Sequence, residues 1–358
     1  MKGGLFRKSV LSISLIGAAV VLFSVVSCSY FKTDTTAPFR TTSLQFAVMS
    51  DSHISKENAG EIFKTALAEV KKMNAASNLP IKYVVMNGDM AFNHASLNPL
   101  TPDQYQAELE KYFLLVRGGV QGTDIKFLIN RGNHDGHFKN ELPDAMHDPY
   151  VTKYKEMLDK YKSVLAAYDY RQMNNHVILE AISFVKLDFV ADPNVPADKV
   201  VDIAWLKSIK TDLRPRALFF GHYPAFSSTS AGYAMGNSAA FLDYLAETGN
   251  RIYFSGHDHV FNHAVLEKKD AGGKVIATVQ QFNTPDMVGG TFSRDWAKNH
   301  FAKQPGNWTA RIAGPDAYLN KVQGFYIVKI TGQETLTTFY KYDKAAAGFE
   351  KGYQARQQ

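Results

Sequence analysis

Residues 127–135 read Phe127-Leu128-Ile129-Asn130-Arg131-Gly132-Asn133-His134-Asp135. A short apolar run ends in a glycine turn that carries an amide, an imidazole and a carboxylate. Such a run is a strand signal, and the glycine marks a tight turn. The pattern occurs four more times. Leu44 to Met49 leads to Ser50-Asp51-Ser52-His53, and Tyr83 to Met86 leads to Asn87-Gly88-Asp89. Ala217 to Phe220 leads to Gly221-His222-Tyr223-Pro224, and Ile252 to Phe254 to Ser255-Gly256-His257-Asp258-His259. Glycine precedes the key residue in four of the five blocks, which suits tight turns.

Helical spacing fills the gaps between these runs. Ile62, Phe63, Ala66, Leu67, Val70 and Met73 follow a 3/4 spacing. So do Tyr105, Leu109, Tyr112, Phe113 and Val116, and then Ile203, Leu206, Ile209 and Leu213. Alternating strands and helices predict an α/β fold. In such sheets the carboxyl ends of the strands line the ligand site, so the five loops should converge. The convergent set is Asp51, His53, Asp89, Asn133, His222, His257 and His259. Oxygen and imidazole donors without a thiolate suit manganese, iron or zinc better than calcium. Asp51/His53 and His257/His259 are i, i+2 pairs. On an extended segment each pair faces one side, about 6–7 Å apart, a span that can straddle two ions.

The ordered series D-x-H, G-D, G-N-H-D, G-H and G-H-x-H resembles the calcineurin-like metallophosphoesterases, with all five blocks in order across residues 51–259. The resemblance implies a four-layer α/β/β/α sandwich and a dinuclear metal centre. By position, Asp51, His53, Asp89 and His259 hold one ion. Asp89 bridges to a second, held also by Asn133, His222 and His257. The implied activity is hydrolysis of phosphate esters, mono- or diester. A metal-bridging hydroxide attacks phosphorus, and His134 is the general acid that protonates the leaving alkoxide. Two divalent ions against two carboxylates and a hydroxide leave a local charge of about +1, enough to attract an anionic ester.

Departures narrow the resemblance. Purple acid phosphatases carry a tyrosine three residues after the second-block aspartate, and Ser/Thr protein phosphatases an aspartate that orients the catalytic histidine. Here that position is Phe92. Asp135, Asn93 and His94 are the alternatives for orienting His134, and Asp135 reads equally as a turn residue. Tyr223, His137 and Arg131 are candidates for the substrate pocket. Each also reads as an ordinary core or surface residue. The sequence contains neither a P-loop nor a G-x-S-x-G elbow, which weakens nucleotide-driven and serine-hydrolase readings.

The 358 residues carry 45% apolar and 21% charged side chains, a globular composition. Net charge is +6. Three of the cations, Lys2, Arg7 and Lys8, precede a charge-free run from Val10 to Val26, so a chain cut before Cys28 carries +3. That is too mild for a nucleic-acid partner. The basic start, apolar stretch and small residues form a secretory signal layout. Val25-Val26-Ser27-Cys28 resembles a bacterial lipobox, which implies cleavage before Cys28 and lipid on its thiol. The other reading is an uncut anchor, since such a run spans about 25 Å as helix. Either way the rest of the chain lies outside the cytoplasm, periplasm-facing or at the cell surface, because the positive flank stays inside.

The sequence divides into a signal at 1–27, a lipidated cysteine and tether at 28–43, one domain at 44–343 and a frayed tail at 344–358. Residues 136–176 read as an insertion overhanging the site, helical from Tyr150 to Tyr170. Residues 284–320 read as irregular. The sequence thus predicts an exported, lipid-anchored metallophosphoesterase acting on a small phosphate ester. The rival is a non-catalytic scaffold lipoprotein on the same fold. No ligand type of the resemblance is missing, which weighs against the rival.

Overall fold

The computed structural model describes residues 43–93, 100–135, 149–166, 173–189, 200–229, 234–288, 307–319 and 321–357. Thr42–Gln358 cluster as one compact unit. In chain order, β1 is Ser43–Met49, β2 Ile81–Asn87 and β3 Lys126–Asn130. Next come β4 Asn175–Leu179, β5 Ile182–Leu187, β6 Ala217–Gly221 and β7 Ile252–Ser255. Then follow β8 Phe261–Lys269, β9 Val275–Asn283, β10 Trp308–Ile312 and β11 Tyr318–Leu319. The last three are β12 Gly324–Thr331, β13 Glu334–Asp343 and β14 Gly348–Gln357. One sheet has the order β14-β13-β12-β1-β2-β3, with β1, β2 and β3 parallel. The other runs β10-β8-β9-β7-β6-β5-β4, with β11 added to β8.

Alternation along the strands sorts the side chains into layers. Phe46 and Val48 of β1 join Phe184, Phe220 and Phe254 in a core between the sheets. Phe46 meets Phe184 edge-on at 5.2 Å, and Phe220 stacks between Phe184 and Phe254 at 5.4 Å from each. Their neighbours Ala47 and Met49 point the other way, into a helix layer. That layer contains α1 (Ala59–Ala76), α2 (Pro102–Val120) and α3 (Pro149–Lys160). Val185, Phe219 and Tyr253 face the second helix layer, α4 (Ile203–Ser208) and α5 (Ser238–Glu247). The result is the four-layer α/β/β/α sandwich. Each fully buried Phe or Leu contributes roughly 1.5–3 kcal/mol, so these three apolar layers carry most of the stability. Helix α2 begins at a capping box: Thr101 accepts from the Gln104 amide, and the Gln104 side chain accepts from the Thr101 amide.

Three sequence expectations are corrected. Residues 348–357 are not a frayed tail but β14, paired with β13. Phe349 packs on Phe325, and Tyr353 on Phe261. The helix from Tyr150 stops at Lys160, and after a short 3-10 turn Leu165 bridges to Phe127 at the sheet edge. Tyr150, Tyr154, Met157 and Leu158 lie in the helix-layer core. Residues 149–165 therefore pack against the helix layer rather than overhanging the site, while 136–148 lie outside the described residues. Residues 307–319 are not irregular, because they contain β10 and β11. No helix of the described residues is long and apolar enough to cross a membrane.

Candidate metal centre

The five loops do converge, and the first two continue the pairing of β1 with β2. Beyond the strand ends the Asp51 amide donates to Gly88 O at 2.9 Å and the His53 amide to Asp89 O at 3.0 Å. Here the chain is not extended, as the i, i+2 reading supposed. Asp51, His53, Asp89, His257 and His259 have φ of 52°, 37°, 54°, 68° and 53°. The first, second and fifth loops thus turn through left-handed residues straight off their strands. A left-handed non-glycine residue costs on the order of 1–3 kcal/mol, so this strain is concentrated at one site. Gly88, at φ 94°, presses against Gly132. A Cβ on Gly132 would run into the Asp89 carboxylate and amide, so this glycine serves close approach rather than an unusual φ.

Two groups of donors form. Asp51, His53, Asp89 and His259 offer ligand atoms that all lie within 4.8 Å of one another, and so do Asp89, His222 and His257. Asp89 belongs to both. Its Oδ2 stands 3.6 Å from His53 Nε2 and 3.4 Å from His222 Nε2. His259 Nε2 is 3.2 Å from Asp51 Oδ1. Asn133 Oδ1 joins the second group, 2.8 Å from His222 Nε2, and His257 Nδ1 lies 3.1 Å from the same nitrogen. Each carboxylate is tied by one oxygen and presents the other. Asp51 Oδ2 accepts from the His257 amide and Asp89 Oδ1 from the His134 amide. Asp51 Oδ1 and Asp89 Oδ2 are buried, turned to the imidazoles and without a hydrogen bond.

Neighbouring groups fix which ring nitrogen faces inward. His53 Nδ1 is held by Ala91 O at 3.1 Å and His222 Nδ1 by Asn87 O at 2.8 Å, so both present Nε2. His259 Nδ1 is 2.9 Å from Asp286 Oδ2, the carboxylate–histidine arrangement common behind metal ligands. Burial opposes charge on all these groups. It is overcome at Asp51 and Asp89, which stay below the usual carboxylate range beside the imidazoles. It is overcome too at His222, which rises to about 9 beside Asp89, and at His259 between Asp286 and Asp51. His53 yields to burial and falls to about 3. A cluster that keeps two buried carboxylates ionised draws positive charge, and its oxygen and imidazole donors fit two divalent ions.

His134 stands beside Asp89, its Nε2 3.8 Å from Asp89 Oδ2. Neither alternative partner within the described residues orients it. Asp135 accepts the amides of Met90, Ala91 and Gly132, so it is the turn residue that clamps the second block to the third. Burial, with Asp89 nearby, pushes it up to about 7. Asn93 accepts from the Leu100 amide. His94 lies outside the described residues, as do His137 and Cys28. Instead Phe92 stacks on the His134 ring at 5.2 Å. Tyr223 is buried and edges onto His257 at 4.5 Å and His222 at 5.2 Å. Arg131 is buried and forked onto Asp188, Nε to Oδ1 at 3.2 Å and Nη2 to Oδ2 at 2.9 Å.

Two carboxylates escaped the sequence reading. Asp286 follows β9, whose end is another strand-then-loop junction but lacks the glycine signal. Asp258, between two candidate ligands, accepts from Ser227 Oγ, the Ser228 amide and Thr229 Oγ1. It thereby fastens the loop after His222 to the loop of His257.

Residues 44–261 match the family model described as calcineurin-like phosphoesterase. No curated protein matches the chain. Among solved structures, the fold is similar to GAP50, the anchor in the inner membrane complex of Plasmodium. Identity is 14%, with 88% of this chain and 89% of that one covered, at a TM-score of 0.51. It is also similar to PhoD, at 13% identity, covering 88% and 73%, at a TM-score of 0.52.

Proposed function

Because the chain belongs to the calcineurin-like phosphoesterase family, we propose that it is an exported, lipid-anchored hydrolase of small phosphate esters with two divalent ions, manganese, iron or zinc, at its centre. The observation that carries this reading is Asp89, whose carboxylate is common to both donor groups. Asp51, His53, Asp89 and His259 hold one ion, and Asp89, Asn133, His222 and His257 the other. Such ions, when bound, activate water and polarise a phosphoryl oxygen. The chain's own residues do the rest. His134, beside the shared carboxylate, donates a proton to the leaving alkoxide, a step contributing typically 10²–10⁴-fold. Asn133 also leans on the transferred group, and Phe92 keeps the His134 ring in plane. Arg131, spent on Asp188, braces the third loop.

The address rests on the sequence. The basic start, the apolar run and Cys28 support export and lipidation, and an outside location supports soluble, small esters over cytoplasmic phosphoproteins. A scaffold role has one supporting observation, the likeness in fold to GAP50, described as an anchor. The full set of seven ligand types and the His134 placement support the enzyme instead.

The test loads the full chain, in detergent, with Mn²⁺, Fe²⁺ or Zn²⁺ and compares p-nitrophenyl phosphate with bis-p-nitrophenyl phosphate. Turnover is expected, and its ratio assigns monoester or diester preference. Asp89→Asn should lose both ions and all turnover, while Asp51→Asn should lose only one ion. A wild-type protein that neither binds two ions nor turns over either ester would establish the scaffold role. Palmitate incorporation that disappears in Cys28→Ala checks the anchor.

A further inference from the structure

The candidate centre occupies one end of both sheets, where β1, β2, β3, β6, β7 and β9 terminate. The opposite end has three features of its own. Ser43, the start of β1, lies there, paired with Thr331. Arg216, at the start of β6, donates to the carbonyls of Gly332 and Gln333, so the far ends of the two sheets are joined. The β8–β9 hairpin also turns at this end. β9 pairs with β7 only from Gln280 to Asn283, whereas its pairing with β8 reaches back to Val275. Residues 275–279 therefore overhang the start of β7 by about 16 Å.

This overhang exposes apolar side chains beside charged ones. Val275 and Ile276 are 41% and 56% exposed, the latter the highest exposure among the described large apolar side chains. Ile178, 41% exposed, lies at the same end beside the β4–β5 turn. Lys269 and Lys274 flank the hairpin turn, both exposed. Neither forms an ion pair among the described residues, while Lys268 is bound to Asp243 at 2.8 Å. The one acid of the turn, Asp270, directs its carboxylate onto the amides of Gly272 and Lys274. Two apolar tips between free ammonium groups are complementary to an anionic lipid surface, where the apolar part enters the headgroup layer and each lysine adds attraction.

The covalent chain brings such a surface within reach. Residues 29–42, between Cys28 and Ser43, extend at most about 50 Å. We propose that the β8–β9 hairpin tip, through Val275, Ile276, Lys269 and Lys274, rests on the anionic bilayer that carries the lipidated Cys28. The proposal rests on the lipid-anchored reading of that cysteine. It turns the end bearing Ser43 toward the membrane and the metal centre away from it, on the order of 35 Å out by strand length plus overhang. The substrates this orientation admits are soluble esters of the aqueous phase rather than headgroups of the same bilayer.

The test uses the full chain reconstituted in vesicles of 30% phosphatidylglycerol in phosphatidylcholine. A polarity-sensitive thiol dye is attached to Ile276→Cys, or to Ala346→Cys in the β13–β14 turn at the site end. A blue-shifted emission at 276, quenched by a lipid-borne quencher, is expected, with neither effect at 346. Adding Lys269→Glu and Lys274→Glu to Ile276→Cys should restore an aqueous spectrum. Equal, aqueous spectra at 276 and 346 overturn the proposal. The unsubstituted chain separates the two readings, since its one thiol, Cys28, takes no dye if lipidated. Should it take dye, the anchor reading fails. Flotation of that unlipidated protein with the anionic vesicles then decides the hairpin: flotation abolished by Lys269→Glu/Lys274→Glu upholds it, and no flotation overturns it.

Discussion

The ring of Phe92 lies against the imidazole of His134, centroids 5.2 Å apart and planes inclined by 17°. Lys56 Nζ stands 4.2 Å from the centre of the same phenyl ring. The proposed general acid is thus steadied by an aromatic face, where related phosphatases place an aspartate. A stacked aromatic pair contributes about 0.5–1.5 kcal/mol beyond its burial. Phe92→Leu keeps the volume nearly filled and removes the stack. Turnover of an alkyl phosphate, whose leaving group needs a proton, should fall about 2- to 10-fold. Turnover of p-nitrophenyl phosphate should fall less, with metal content unchanged. Steady-state kinetics with both esters and metal analysis make the comparison. Equal losses would mean that Phe92 does not act through His134.

Much of this arrangement was legible in the sequence. The five strand-then-loop blocks, four of them with a glycine, placed Asp51, His53, Asp89, Asn133, His222, His257 and His259 together because each ligand type follows a strand end. The illegible parts share a physical cause. Asp286 acts through His259, so it needs neither a motif spacing nor a glycine beside it. β14 reads as a tail because Lys351, Gln354, Arg356 and Gln357 dominate its composition, although Phe349 and Tyr353 find aromatic partners. The overhanging hairpin has polar and charged residues on both faces, and its free length is set by β7 starting only at Ile252. The left-handed φ values follow from loop packing and leave no trace in residue spacing.

Asp286 offers a second test. Its carboxylate accepts from or pairs with His259 Nδ1 at 2.9 Å, which leaves Nε2 to face Asp51. Loss of such a partner typically lowers metal affinity 10–100-fold. Asp286→Asn should therefore surrender one ion to a chelator at a concentration that the wild type withstands, and excess metal should restore turnover. Titration with a competing chelator, followed by assay, reads both. Unaltered chelator resistance would show that Asp286 serves only the fold.

Strain at the ligands gives a third. His257 has φ 68°, and glycine alone is at ease there. His257→Ala and His257→Gly both delete the imidazole, so metal at the second group should be lost equally. Their difference isolates the backbone. The glycine variant should be the more stable of the two by about 1 kcal/mol, the left-handed penalty less glycine's greater unfolded freedom. Chemical denaturation of both metal-stripped proteins measures it. An alanine variant at least as stable would mean that the loop relaxes once the imidazole is gone.

Lys186 provides a test far from the metals in pH. It lies buried in β5, two residues before Asp188. Burial lowers its pKa from 10.5 to about 7, with Asp188 pulling the other way. Between those values the unfolded chain holds more protons than the fold, so this group makes stability rise with pH across the window. Its penalty is full below pH 7 and gone above pH 10.5. Lys186→Met replaces the ammonium by an apolar chain of similar length and leaves the Arg131–Asp188 pair in place. The variant should gain on the wild type at pH 7, since it no longer holds an ammonium whose pKa burial has lowered. The gain should shrink steadily toward pH 10.5, where lysine in the unfolded chain is itself half neutral. Denaturant unfolding of both proteins at pH 7, 8.5 and 10 reads that slope. A loss of stability at pH 7, constant with pH, would instead show Lys186 as a charged strut that the fold depends on.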